Sequence, residues 1–357
     1  MKNYKDSPKS KFDIVIVGAG PSGSTFAREI ADCGYSVLLI DGQDLIGNKP
    51  CGGLLAPDAQ KIMAYRDFVL PKEILVDPQI FSVKTIDLET KLVCNYQRYY
   101  MNMDRRAFDK FLLTLIPDNI CVINAKLIRA DRSRHGFRLE LSDGSETKVF
   151  IDCRFLIGAD GGSSIVRRSF FKQKIYKYTA IQQWFKYPDK GSPYYSCIFD
   201  EKTSSGCSWT IHKDGYVIFG GSFEPDNCRK AFDNQKQRFE EFIGGKLGTP
   251  EKTEACLVCS PRRLKDFVTG KDNVFLIGEA AGFISASSLE GFSSAFISGS
   301  MLAKAFRTSS EHKIAKTYRK LTRPLRFKLW RKIYKHNIIF NPLLRKIIMK
   351  SKITAIK

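Results

Sequence analysis

The clearest chemical pattern in this sequence is a set of glycines that follows an apolar run near the start of the chain. The run, Phe12 to Val17, predicts a buried parallel strand, and the glycines have Gly-x-Gly-x-x-Gly spacing. The first glycine permits a tight turn, the second lets the backbone approach a pyrophosphate, and the third lets helix and strand pack closely. A second strand, Ser36 to Ile40, ends at an aspartate placed to bind a ribose hydroxyl. The predicted dinucleotide-binding residues are Gly18, Gly20, Pro21, Ser22, Gly23, Asp41 and Gly42.

The helix that starts after the second glycine would direct free N–H groups and the positive end of its dipole at a bound phosphate. A strand, a glycine turn, a helix and an acidic residue in this order favour a nucleotide site over a glycine-rich turn that binds nothing. The pattern alone does not distinguish FAD from NAD.

Three later segments have residue types suited to the same ligand. They are Arg105-Arg106-Ala107-Phe108-Asp109, Gly158-Ala159-Asp160-Gly161-Gly162-Ser163 and Gly278-Glu279-Ala280-Ala281-Gly282. In this order they resemble flavoproteins of the p-hydroxybenzoate hydroxylase fold, which implies that all three return to one FAD. The contacts that the resemblance implies are Arg105, Leu127, Asp160, Gly161, Gly278, Glu279, Gly291 and Phe292.

Two of these positions have a second interpretation. Asp160 precedes a predicted helix and could serve only as its cap. Glu279 stands where the family usually has an aspartate that contacts the ribityl chain, and the extra methylene would shift or replace that contact. Gly291 and Phe292 open a helix whose first N–H groups, by the same resemblance, face the pyrimidine edge of the isoalloxazine.

A narrower resemblance concerns the segment Lys49-Pro50-Cys51-Gly52-Gly53-Leu54-Leu55, which is similar to the Cys-Gly-Gly segment of geranylgeranyl reductases. It implies that Cys51, Gly52 and Gly53 lie beside the isoalloxazine and that Cys51 is a proton donor or redox partner. A small residue filling a tight loop is the alternative for Cys51. The reductases carry a Tyr-x-Trp-x-Phe-Pro motif whose counterpart here, Cys207 to His212, retains only the tryptophan, so the isoprenoid substrate is less firmly implied.

Short aromatic strands fill the region from Phe170 to Pro261 and predict a sheet that covers the flavin. Trp184, Trp209 and Phe219 are the predicted lining of the substrate pocket, although aromatic strand residues also serve as plain core. Cys256 and Cys259 form the only Cys-x-x-Cys pair, and because no second pair accompanies it and the histidines show no ligand spacing, we expect no metal.

The chain has 357 residues and a net charge of +21, of which +16 lies in the stretch from Met301 to Lys357. In a predicted helix of this stretch, Leu325, Leu329 and Ile333 recur every four residues among cations and aromatics, as in helices that bind anionic membranes. The alternative is a solvated basic face packed back on the flavin domain.

No nucleic-acid-binding fold accompanies the charge, so nucleic acid is not expected. No apolar run is long enough to span a membrane, and the polar stretch from Met1 to Lys11 lacks the apolar core of a secretory signal, which predicts a cytoplasmic protein.

These observations predict an α/β fold: a Rossmann-like FAD-binding domain of the p-hydroxybenzoate hydroxylase type with an inserted mixed β-sheet substrate domain and a helical C-terminus. The expected bounds are 1–75, 95–169 and 262–305 for the FAD-binding domain, 76–94 and 170–261 for the substrate domain, and 306–357 for the basic region.

The expected function is an FAD-dependent oxidoreductase that reduces C=C bonds of a polyprenyl or related lipid at the inner face of the cytoplasmic membrane. Two alternatives are a flavin-dependent monooxygenase acting on an aromatic or hydrophobic small molecule, and a non-catalytic lipid-binding protein that contains FAD. No second dinucleotide pattern is present, so electrons would come from transiently bound NAD(P)H or from a ferredoxin-like partner.

Overall fold

A computed structural model describes residues 10–42, 49–142, 144, 148–187 and 192–351. Residues 1–9, which hold most of the polar N-terminal stretch, and 352–357 at the end of the basic region lie outside the described residues. The helices are α1 (Pro21–Ile30), α2 (Pro57–Ala64), α3 (Arg105–Thr114), α4 (Ile165–Phe170), α5 (Cys228–Ile243), α6 (Phe292–Thr308), α7 (Ile314–Leu321), α8 (Arg323–Ile339) and α9 (Pro342–Ser351). The first strands are β1 (Lys11–Val17), β2 (Val37–Asp41), β3 (Leu54–Leu55), β4 (Ile80–Asp87), β5 (Val93–Asn102), β6 (Cys121–Asn124), β7 (Lys126–Ser133) and β8 (Gly136–Ser142). The remaining strands are β9 (Val149–Gly158), β10 (Lys177–Lys186), β11 (Tyr194–Phe199), β12 (Ser208–Lys213), β13 (Tyr216–Phe223), β14 (Lys252–Cys259), β15 (Gly270–Lys271) and β16 (Val274–Leu276).

The first sheet has a parallel centre in the order β16-β9-β1-β2-β6, and β15 extends it antiparallel to β16. The antiparallel strands β8 and β7 branch from β9. Every residue of β2 is buried, as is expected where helices or further layers cover both faces of a parallel sheet. The carboxyl ends of β1, β2 and β9 lead directly into the glycine turn at Gly18, into Asp41 and into the turn at Asp160, so the sheet brings these groups to one edge.

The second sheet runs in the order β14-β10-β13-β12-β11-β4-β5-β3 and is antiparallel except for the β4–β11 pair. Helix α5 covers one of its faces, where Phe219 packs against Phe232 and Phe239. The domain boundary expected from the sequence, between residues 94 and 95, falls inside β5. The whole of β5 belongs to the second sheet. A single strand cannot be divided between two sheets here because β5 pairs with β4 along most of its length.

The basic region continues from α6 into α7, α8 and α9. Leu325, Leu329 and Ile333 of α8 are buried in the core of the first sheet, together with Tyr318 of α7. The protein itself therefore covers the apolar stripe of α8. Among the described residues, no helix combines the length and the apolar character needed to cross a membrane.

Candidate active site

A continuous cavity of about 1730 Å³ lies between the two sheets. Pockets for small molecules usually enclose roughly 300–1000 Å³, so this cavity has room for a large cofactor and a second molecule. The turns after β1, β2 and β9 line one end, and strands β5, β10, β11 and β12 line the other with α8 and α9. The segment from Lys49 to Leu54 also lines the cavity.

At the first end, the backbone is packed so closely that glycine is required at two positions. Gly18 has φ +103°, and a β-carbon there would lie 2.5 Å from the carbonyl oxygen of Ala159. A β-carbon at Gly23 would lie 1.9 Å from the carbonyl oxygen of Gly18, so this residue serves helix–strand packing and does not itself line the cavity. Gly20 differs, because a β-carbon there would meet no atom within 4 Å and would enter the cavity. Gly20 also precedes α1 without a side-chain cap, which leaves N–H groups of the first turn available to an anion.

Asp41 lies at the end of β2 and lines the same cavity. Burial raises its pKa to about 6, opposed by a hydrogen bond from the Ala19 amide and reinforced by the nearby Asp109. A ribose hydroxyl that donates a hydrogen bond to this carboxylate would stabilise its charged form.

Asp160 caps a helix and also lines the cavity. Its Oδ2 accepts hydrogen bonds from the amides of Ile165 (2.7 Å) and Val166 (3.2 Å) and so caps α4. Its Oδ1 is buried with no partner among the described residues, and the residue lines the cavity. Burial raises the pKa of Asp160 in spite of hydrogen bonds from Ser164 and from backbone amides. An unpaired buried carboxylate oxygen at this position fits a ligand that supplies a hydrogen-bond donor.

Arg105 connects the middle of the cavity to α3. Its Nε lies 2.9 Å from each carboxylate oxygen of Asp109, and its guanidinium lies 4.8 Å from the ring centre of Phe292. The guanidinium also interacts with the Cys51 side chain, whose sulfur accepts a 3.4 Å hydrogen bond from the Gly53 amide. The predicted FAD-contacting arginine and the predicted chemical cysteine are thus neighbours.

Glu279 is held by protein groups on both of its oxygens. Its Oε2 pairs with Lys49, and its Oε1 accepts a 2.8 Å hydrogen bond from the Cys259 amide. Gly278, in contrast, donates its amide to Ser298 and does not line the cavity. At the start of α6, Glu290 accepts the Ser293 amide at 3.0 Å, so this N–H is not free for a cofactor.

The arrangement fits FAD on the features of the chain itself: an open glycine at a helix start, a buried ribose-type aspartate, and an unpaired carboxylate oxygen at Asp160. Most of the sequence-predicted contacts line this one cavity. They are Gly18, Gly20, Pro21, Ser22, Asp41, Gly42, Cys51, Gly52, Gly53, Arg105, Leu127, Asp160, Gly161, Glu279, Gly291 and Phe292.

The three residues expected to line the substrate pocket have different positions. Trp209 of β12 lines the cavity, and its indole Nε1 is buried with no partner among the described residues. Trp184 does not line it, because its indole donates to Glu254 (2.8 Å) and packs against Tyr216. Phe219 is likewise outside the cavity, because it packs under α5 as part of the core.

The sequence reasoning missed the residues that give this end of the cavity its polarity. Tyr96, Arg98 and Tyr100 alternate along β5 and share one face, and the Tyr195 ring lies 5.1 Å from that of Tyr100. The sequence shows the alternation of these residues at i, i+2 and i+4. The domain boundary expected at residue 94, however, assigns them to the FAD-binding domain.

Cations from α8 complete this end. Arg331, Lys332 and Lys335 line the cavity. Burial lowers the pKa of Lys332; the nearby carboxylate of Glu290 opposes this effect, and the cations Lys328 and Arg98 add to it. The Arg98 Nε is itself buried without a partner among the described residues. Positive charges that face one another in a partly buried site favour an anionic ligand.

Comparisons with known proteins identify the family of the chain. A family model described as an FAD binding domain matches residues 128–328, and one described as an NAD(P)-binding Rossmann-like domain matches residues 16–49. Protein CbrA of Escherichia coli strain K12 is 44% identical over 357 residues, which cover 97% of this chain and 98% of that protein. The chain belongs to the CbrA family of FAD-binding proteins. The CbrA family relationship extends over nearly the whole length of both proteins, so it includes the cavity and the basic region.

Solved structures confirm the predicted fold class. A geranylgeranyl bacteriochlorophyll reductase-like protein from Thermoplasma acidophilum aligns with a TM-score of 0.77 at 19% identity, covering 94% of this chain and 88% of that chain. The protein pqsL of Pseudomonas aeruginosa, described as a probable FAD-dependent monooxygenase, aligns with a TM-score of 0.68 at 15% identity, covering 96% and 99%. FAD is thus the cofactor and the chain is an FAD-dependent oxidoreductase, while the type of reaction has to be argued from the site.

Proposed function

We propose that this protein is an FAD-dependent reductase that saturates C=C bonds of a polyprenyl or related lipid at the cytoplasmic face of the membrane. The observation that carries the proposal is the continuity of the cavity. The predicted FAD cradle, Cys51, apolar side chains and the cations of α8 all line one space, so a lipid bound there could reach the flavin.

The walls of the chamber suit an amphiphilic molecule. Ile181, Ile211, Ile284 and Leu289 supply apolar surface to the cavity, and the cations of α8 also line it. A hydrocarbon chain with an anionic head group would place its double bonds among the apolar residues and its head among the cations. The shared chemistry of such heads is a phosphate or a carboxylate.

The chemistry needs a hydride on one carbon of the double bond and a proton on the other. The residues of the cradle would hold FAD, which would supply the hydride after reduction by NAD(P)H or by a ferredoxin-like partner. The Cys51 thiol would donate the proton and then regain one from solvent. Arg105 holds this thiol from the side of α3 and stabilises the sulfur while the proton is absent.

Stopped-flow absorbance of photoreduced protein, mixed anaerobically with polyprenyl phosphate and polyprenyl alcohol, tests the proposal. We expect reoxidation of the flavin that depends on lipid, and a saturated product in the mass spectrum. If lipid does not reoxidise the reduced flavin, but oxygen forms a long-lived adduct with it, the protein would instead be a monooxygenase, as pqsL is described. Tight lipid binding with neither reaction would support a non-catalytic binding protein.

A further inference from the structure

Helix α9 has its polar and apolar sides reversed relative to an ordinary surface helix. Its buried residues include Arg345, while its outward side chains include Leu343, 73% exposed, and Ile347, 65% exposed. Leu344 and Ile348 are exposed beside them. Because helical residues turn by about 100° each, these four form one continuous outward strip. A contiguous apolar surface of this kind is unusual in a protein that meets only water.

The inward side of α9 explains why the helix cannot simply rotate. Arg345 pairs with Asp87 and with Glu201, each at 2.7 Å, and its guanidinium lies over the Phe199 ring. Met349 is buried on the same side. The ion pairs fix the rotation of α9 about its axis and keep Leu343 and Ile347 outward.

The outward strip adjoins an opening of the cavity. Tyr334 and Ile338 of α8 and Ile348 of α9 line the cavity and are also exposed, so they lie where it meets the exterior. On the other side of the strip, Lys346 and Lys350 are exposed and follow the helix at i, i+4 spacing.

We propose that this outward strip of α9, with Lys346 and Lys350, docks the opening of the cavity onto an anionic lipid bilayer. The apolar side chains enter the interface between head groups and acyl chains, and the lysines meet anionic head groups. Charge complementarity favours a bilayer over a second copy of the chain. From Arg323 to Ser351 there are lysines and arginines but no aspartate or glutamate, so two such surfaces would repel each other. The proposal rests on the proposed lipid substrate, which would reach the chamber through this opening.

Flotation of the full chain with vesicles of phosphatidylglycerol and phosphatidylcholine tests the docking without any turnover. We expect the double variant Leu343→Ser/Ile347→Ser to lower the partition coefficient by about tenfold or more, because two large apolar side chains no longer enter the bilayer. Lys346→Gln and Lys350→Gln should each lower it about fivefold on anionic vesicles and have no effect on neutral ones. The matched control is Phe150→Ser/Ile243→Ser, which removes two exposed apolar side chains from β9 and α5. Unchanged flavin content shows that each variant has folded.

Equal flotation of the α9 variant and the wild type would overturn the proposal. So would a wild type that light scattering finds dimeric and an α9 variant that is monomeric, because the strip would then be a contact between copies. Reductase assays distinguish a failure of the docking proposal from a failure of the proposed reaction. The α9 variant should reduce lipid presented in detergent and lose activity on lipid embedded in vesicles. If no variant reduces lipid in detergent, the proposed reaction fails while the flotation result still decides the docking.

Discussion

Arg345 and Asp87 form an ion pair that is almost closed to solvent, with Nε 2.7 Å from Oδ2 and side-chain exposures of 3% and 0%. It ties the last described helix, α9, to β4 of the second sheet. Asp87 also accepts the amides of Glu89 and Thr90 at 3.0 and 2.9 Å, so its carboxylate is fully engaged. Burial acts to raise the Asp87 pKa, but the Thr90 amide and Arg345 outweigh it and hold this pKa below the usual value.

Replacing Arg345 by Met should destabilise the protein by about 3 kcal/mol, because one charge of a buried pair is left without its partner. Urea unfolding of the FAD-loaded protein measures the change. Arg229→Met, which removes an exposed pair with Asp233, should cost less than about 1 kcal/mol. Since the folded Asp87 pKa lies below the unfolded one, its stabilisation is present at neutral pH and disappears as the pH falls below about 4. A similar loss of unfolding free energy in both variants would mean that the buried pair stabilises the protein no more than an exposed pair does.

Gly20→Ala should weaken FAD binding by about tenfold or more, because the backbone could no longer approach the pyrophosphate. The residue has φ −69° and ψ −176°, which alanine adopts easily, and the added methyl meets only cavity space. The free energy of unfolding of the protein without FAD should therefore change by less than about 1 kcal/mol. Fluorescence titration with FAD measures the affinity, and Gly245→Ala, which also meets no atom, is the matched control. Unchanged FAD affinity in Gly20→Ala would place the pyrophosphate elsewhere.

The first nucleotide-binding unit could be predicted from sequence because its chemistry is local. A strand, a turn and a helix start lie within a few residues of one another, and the turn needs glycine for reasons of backbone geometry at Gly18 and Gly23. The hairpin turn between β12 and β13 is equally local: Asp214 and Gly215 both have positive φ, as a type I′ turn requires.

The substrate end could not be predicted in the same way, because its lining comes from elements far apart in the chain. An alternating strand has two faces, and only the tertiary structure decides which face meets α5 and which meets the cavity. Trp209 and Phe219 therefore looked equivalent in sequence and have opposite roles in the fold. For α8, the stripe of Leu325 to Ile333 has the same spacing whether a membrane or the protein core covers it.

FAD binding should weaken as the pH falls through about 6, since burial raises the Asp41 pKa to about 6 and only the ionised carboxylate accepts a hydrogen bond with both oxygens. The dissociation constant should rise roughly tenfold between pH 7 and pH 5. Asp41→Asn should bind FAD more weakly at pH 7 and show no transition near pH 6. Asp226→Asn, a neutralised aspartate in the turn before α5, should retain the wild-type profile. The test is to measure the FAD dissociation constant of all three proteins as a function of pH. If the transition near pH 6 persists in Asp41→Asn, it belongs to another group.

Arg98→Gln and Lys332→Gln should each raise the KM for polyprenyl phosphate by about tenfold, because each removes a charge-assisted contact with the head group. The KM for the corresponding alcohol should change little, and kcat should be retained for both. Arg319→Gln, which removes a cation of α7 that does not line the cavity, is the matched control. Equal effects on the phosphate and the alcohol would show that these side chains shape the chamber without recognising charge.

Cys51→Ala should lower the rate of lipid-dependent flavin reoxidation by about 10²- to 10⁴-fold, the range expected when a positioned proton donor is lost. FAD affinity should stay the same, because the backbone of the segment is unaffected and the Arg105–Asp109 pair remains. Cys256→Ala is the matched control: Cys256 lines the same cavity, and burial raises its pKa to about 11, so it stays a thiol and donates no proton readily. A solvent deuterium isotope effect present in the wild type and in Cys256→Ala, but changed in Cys51→Ala, would identify the thiol as the donor. Full activity in Cys51→Ala would instead make Cys51 a small residue that fills a tight loop, with water delivering the proton.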